Sequence, residues 1–209
     1  MKIKRKEQTT EQPIEQTPKK QKIDTKTLVG IGLFTAIVVV LQLLGGGIKV
    51  GGMFSISLVL IPIVVGSAVY GWKGGAWLGF AFGMAVLISG DAGAFLAVDP
   101  LATVLVVLVK GAACGFVAGL MYRLFCKYNR DVAVMMAAIF CPMVNTGIFL
   151  VGCALFFYET ISGWAAAAGF ANAGAYMILG LAGINFLVEL AVNILLAPVI
   201  VRLIRIGKK

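Results

Sequence analysis

The sequence predicts an all-α integral membrane protein, a six-transmembrane-helix bundle with both termini cytoplasmic. Three observations carry that prediction. Of 209 residues, 60% are hydrophobic and 13% charged, against about 25% charged in an ordinary soluble domain, and the mean hydropathy is +0.99. The apolar residues fall into runs of about 20, the length of one helix through a bilayer core. The net charge of +9 is segregated into three clusters: Lys2 to Lys26, then Arg123, Lys127 and Arg130, then Arg202 to Lys209. Lys and Arg concentrate in cytoplasmic loops, so these clusters, with Lys73, mark the inner side and leave only Lys49 outside. Basic residues placed this way point to a lipid bilayer as the partner and argue against nucleic acid.

Composition also removes chemistry. The chain has no histidine, which excludes imidazole zinc sites and any Ser-His or Cys-His catalytic pair. Cys114, Cys126, Cys141 and Cys153 form no CxxC pair and are expected as free thiols. No catalytic residue, metal site or cofactor is expected.

Taken in order, residues 1–26 are mostly Gln, Thr, Lys, Glu and Pro; with almost nothing to bury, they read as a disordered cytoplasmic tail. Residues 27–205 form the membrane domain. Helix one spans Thr27 to Leu44, and its four-residue spacing puts Gly32 and Ala36 on one face. Small residues there let a second helix approach, either within the chain or on a partner protein. The glycine-dense stretch Leu44 to Gly52 is an outer loop with room for a short hairpin, and its Lys49 reads as a loop charge.

Helix two, Phe54 to Tyr70, contains Pro62, which kinks or locally frees a transmembrane helix. Gly71 to Gly74 is a tight inner turn. Helix three, Gly75 to Ser89, carries Gly75, Gly79 and Gly83 as a smooth packing ridge and completes a hairpin. The outer loop Ser89 to Pro100 holds Asp91 and Asp99, with Asp99-Pro100 expected to cap and open helix four.

Helix four, Leu101 to Tyr122, would be apolar throughout but for Lys110 near its middle. A charge there costs about 3 kcal/mol on insertion scales, so it faces protein, water or an anion. Two roles are open: contact with a ligand, or pairing with Glu189, the other ionisable residue deep in an apolar run. Helix five, Val132 to Tyr158, is expected to break at Cys141-Pro142. Asn145 and Thr146 then either bond the freed backbone or face a ligand. The third outer loop, Glu159 to Ala175, carries Trp164, an interface aromatic or a lid. Helix six, Tyr176 to Ile204, places Asn185, Glu189 and Asn193 on one stripe that must face the bundle interior.

Two further motifs fail. Gly66 to Gly74 has the outline of a phosphate-binding loop, but Trp72 separates glycine from lysine and no Ser or Thr follows. Ser89-Gly90-Asp91 approximates an intramembrane aspartyl protease motif, but Ile88 replaces the first glycine and a second paired aspartate is missing.

The small-residue face of helix one, the segment Leu58 to Gly83 (LVLIPIVVGSAVYGWKGGAWLGFAFG) and Asn145 to Phe157 (NTGIFLVGCALFF) resemble the substrate-binding S component of an energy-coupling factor (ECF) vitamin transporter, pantothenate- or riboflavin-like. The resemblance covers residues 27–205. It implies an outward pocket in helices four to six, covered by outer loops, with Lys110, Asn145, Asn185 and Trp164 as substrate contacts and Glu189 beside them. It further implies that Gly32 and Ala36 dock on a transmembrane coupling protein, that two ATPase subunits supply the energy, and that the S component topples in the cell membrane, a bacterial plasma membrane, to deliver its vitamin. Lys110 suits a carboxylate, which places pantothenate ahead of riboflavin. The alternatives are a stand-alone permease or channel and an intramembrane enzyme.

Overall fold

The computed structural model describes residues 25–45, 49–50, 54–55 and 58–207. The expected tail lies outside the described residues except for its last two, and so does the side chain of Lys49. The described residues are helical apart from short turns and a two-residue antiparallel ladder. Its order is α1 (Thr25–Gly45), β1 (Lys49–Val50), β2 (Phe54–Ser55), α2 (Leu60–Ser89), α3 (Gly93–Leu96), α4 (Pro100–Phe125), α5 (Arg130–Phe156), α6 (Tyr158–Ala167), α7 (Ala173–Ala175), a π-helical segment Tyr176–Gly183, and α8 (Ile184–Gly207). Lys49 pairs with Ser55 and Val50 with Phe54, so the glycine-rich loop does form a small hairpin. Four helical stretches are long and apolar enough to cross a membrane: Thr25–Gly45, Pro100–Phe125, Arg130–Phe156 and Ala173–Arg202.

Helix α2 is two arms rather than one rod. Gly71 takes φ 77° and ψ −177°, a conformation open essentially to glycine alone, and the chain reverses there. A Cβ on Gly66 would strike the Leu78 side chain, and one on Gly75 would stand 2.6 Å from Ser67 Oγ, contacts that only antiparallel arms can make. The expected hairpin therefore exists, though its first arm starts at Leu60 and not at Phe54.

The second arm lies against α4 along a seam of bare backbone. A Cβ on Gly79 would collide with the Gly111 carbonyl, one on Gly115 with the Gly75 carbonyl, and one on Gly119 would lie 2.5 Å from Trp72 Cα. The ridge expected from Gly75, Gly79 and Gly83 thus meets a matching ridge on α4. Around this seam the core gathers Leu60, Ile63, Val64, Leu78, Phe82, Val107, Cys114, Ala118, Val134, Ala138 and Ile200.

The structure corrects both proline expectations. Pro62 falls in the first turn of α2, where its absent N–H is one the helix would not use, so it kinks nothing. Pro142 lies inside α5, which runs unbroken from Arg130 to Phe156. In apolar surroundings the backbone has no water to turn to, and losing one bond costs less than breaking the helix. The outer loops also hold more structure than expected: α3 sits in the second, Ser89 to Pro100, and α6 and α7 occupy most of the stretch from Glu159 to Ala175. Asp99 caps α4 as expected, its Oδ1 accepting from the Leu101 and Ala102 amides at 3.0 Å each, with Pro100 following. At the other end of the bundle, Asn129 caps α5 by accepting from the Asp131 amide at 2.8 Å.

Helix α1 is the least embedded of the four long apolar helices. Only 11% of its apolar window is buried, against 39% for α4, and Val38 and Gln42 are its buried residues. Its contacts are mainly with the first arm of α2, where Phe34 meets Tyr70 edge-on at 5.8 Å between ring centroids. Gly32 has no atom within 4 Å of a built Cβ, and both Gly32 and Ala36 are exposed. The face they share is left exposed by the described residues.

Candidate functional site

Where α4, α5 and the chain around the π-helical segment meet, large and polar side chains replace glycine, and the helices separate. The result is a cavity of about 170 Å³, room for about ten water-sized units. Its wall comes from one end of the bundle: the last turn of α1, the connector after α2, the first half of α4, the second half of α5 and the first turns of α8. Lys110, Asn145, Asn185 and Glu189, separated by as many as 79 residues of chain, are brought together in this wall.

Each arrives by helical geometry. Lys110 follows from Thr103, Val106 and Val107 at helical spacing along α4, while its neighbour Gly111 faces α2. The Lys110 ammonium lies over the Phe149 ring, 5.0 Å from its centroid, within reach of the cation-π attraction. Asn145 and Phe149 share a face of α5, as do Asn185 and Glu189 on α8. Glu189 is 4% exposed and Asn193 1%, so the polar stripe does face the interior, and Asn193 Nδ2 donates to the Glu189 carbonyl at 2.8 Å. Two carboxylates, Glu189 and Asp91, stand in the same wall as Lys110.

The amides are the most informative groups. Asn145 is 7% exposed, and the Oδ1 atoms of Asn145 and Asn185 have no hydrogen-bond partner among the described residues. An unmet buried acceptor costs roughly 1–3 kcal/mol; Asn193 Oδ1 is a third such atom, on a residue outside the cavity wall.

Trp164 stands behind the wall rather than in it. It sits on α6 and meets Phe95 edge-on at 5.4 Å. Phe95, on α3, also meets Phe149 at 5.6 Å and Phe157 at 5.1 Å, and these three phenylalanines line the cavity. Phe95 is therefore the hub of an aromatic cover, and Trp164 braces it from outside.

Three wall residues escaped the sequence reading. Phe95 is the only aromatic residue of the loop Ser89 to Pro100, and Asp91 was read there as one of two outer acids. Gln42 is the one amide in the otherwise apolar latter half of helix one. It is 4% exposed, and its Nε2 donates to Asp91 Oδ2 at 2.5 Å and to Ser89 Oγ at 3.4 Å. A single amide in an apolar run was the available signal. Among the described residues no group of three or more Cys, Asp and Glu is placed to hold a metal ion.

Compared with known proteins, residues 26–201 match the family model for the ECF transporter, substrate-specific component. No curated protein and no solved structure matches the chain.

Proposed function

Because this chain belongs to the substrate-specific components of ECF transporters, a family of transporter subunits that bind a small molecule and work with an energy-coupling module, we propose that its cavity captures a vitamin from outside the cell. The observation that carries the proposal is the joint placement of Lys110 with the unpartnered Asn145 and Asn185 oxygens in one cavity. Lys110 receives the anionic end of the vitamin, strengthened by the low dielectric around it, and Asn145 and Asn185 take its polar body. Glu189 sets the charge balance beside Lys110, and Phe95 with Trp164 closes the outer side.

Pantothenate ranks first and riboflavin second. The single lysine in the wall suits a carboxylate, which riboflavin lacks.

The two arms of α2 and the four long apolar helices make six membrane spans. Both termini are then cytoplasmic, in a multi-pass protein of the bacterial plasma membrane whose membrane domain is 27–205. The exposed Gly32 and Ala36 on α1 support docking on a transmembrane coupling protein, because their face is left open among the described residues. Two ATPase subunits would then drive toppling and release.

Native mass spectrometry of the gently purified protein tests the reading. A retained vitamin whose retention is lost in Lys110→Ala is the expected result. A protein that stays empty and binds no member of a vitamin panel would turn the reading toward a stand-alone permease.

A further inference from the structure

We propose that the molecule taken by this cavity is bipolar: it carries an anionic group for Lys110 and hydrogen-bond donors of its own, one of which is received at the mouth by Asp91, held in place by Gln42. This inference rests on the cavity being the substrate site and assigns the ligand chemistry that the site requires.

The wall divides by hydrogen-bonding capacity. Lys110 donates and cannot accept, whereas a carboxylate and an amide oxygen accept and cannot donate. Asn145 and Asn185 stand in the same wall as Asp91, and their Oδ1 atoms are buried without a partner among the described residues. A donor-free anion would satisfy Lys110 and bring nothing for the carboxylate and amide acceptors of the wall.

Asp91 extends the acceptor side outward. It lines the cavity yet is exposed, and it follows Gly90, whose φ is 83°. A residue that both lines the cavity and meets the outside stands at its entrance. Gln42 Nε2 holds one oxygen of that carboxylate, which fixes the side chain and leaves Oδ1 for the ligand. Gln42 is thus a positioning residue, and the only cavity-lining residue that α1 supplies.

Isothermal titration of the purified full chain with four probes tests the inference. Pantothenate and biotin carry a carboxylate together with O–H or N–H donors, lipoate carries a carboxylate without them, and riboflavin carries donors without a charge. Pantothenate or biotin is expected to bind, with lipoate and riboflavin about a hundredfold weaker. Asp91→Ala should weaken the preferred probe about ten- to a hundredfold and Gln42→Leu about tenfold. Both should narrow its preference over lipoate, which loss of fold alone would not do. Lipoate or riboflavin binding as tightly as the donor-bearing acids overturns the inference, as does an unchanged preference in Asp91→Ala. Binding that ignores Lys110→Ala and Asn145→Leu overturns the cavity itself as the site, and a chain that binds none of the four overturns both.

Discussion

Helix α4 has two unlike sides. Toward the second arm of α2 it presents Gly111, Gly115 and Gly119, and the two backbones touch. Toward α5 and α8 it presents Val106 and Lys110, and a cavity opens. Lys110 and Gly111 are adjacent in sequence, so a rotation of about 100° per residue separates the close backbone contact from the cavity. Between membrane helices, where lipid is as apolar as any side chain, small residues set how closely two helices approach. A site therefore needs a seam elsewhere that is closed enough to hold the frame while the polar side stays apart.

Filling the seam should have the largest effect. Gly79→Leu puts a side chain where the Gly111 carbonyl lies, and backbone cannot yield as a flexible side chain does. Destabilisation by roughly 3 kcal/mol, the top of the usual overpacking range, is expected in thermal melting of the detergent-solubilised protein. A variant with unchanged melting would show that the seam is not what holds the frame.

The open face of α1 comes next, since it belongs to neither side of α4. Changing Gly32 and Ala36 together to Leu should abolish copurification of the coupling protein while leaving vitamin affinity unchanged. Loss of affinity as well would tie α1 to the site more strongly than Gln42 alone accounts for.

On the cavity side, Lys110→Ala should weaken an anionic vitamin about ten- to a hundredfold, the range for a hydrogen bond to a charged group, with little change in melting temperature. Unfolding in this variant would instead support structural pairing with Glu189. The smallest effect should come from Asp99→Ala, which removes the acceptor for two amides at the start of α4. A loss of about 1 kcal/mol in stability is expected, without a change in the pantothenate-to-lipoate preference, because Asp99 is absent from the cavity wall.

How much was legible depended on whether a feature is local. The glycine spacing on the second arm of α2, the Asp99-Pro100 start of α4 and the stripe of Asn185, Glu189 and Asn193 all follow from helical periodicity, and each is present. Pro62 and Pro142 misled because the effect of a proline depends on where its helix begins and on what surrounds it. Gln42, Asp91 and Phe95 were missed for another reason: Gln42 reaches the cavity from α1 and the other two from the Ser89 to Pro100 loop, far in sequence from Asn145, Asn185 and Glu189.

By itself the sequence determined that this is a helical membrane protein, which faces of its helices must stay out of lipid, and which charges are too costly to leave there, because hydrophobicity and periodicity are properties of neighbouring residues. Only the tertiary structure decided that four of those polar residues share one cavity, that Gln42 reaches across to Asp91, and that Phe95 caps the space with Trp164 behind it. Those relations are set by where glycine allows two backbones to meet and where bulk holds them apart, and that is a property of pairs of helices.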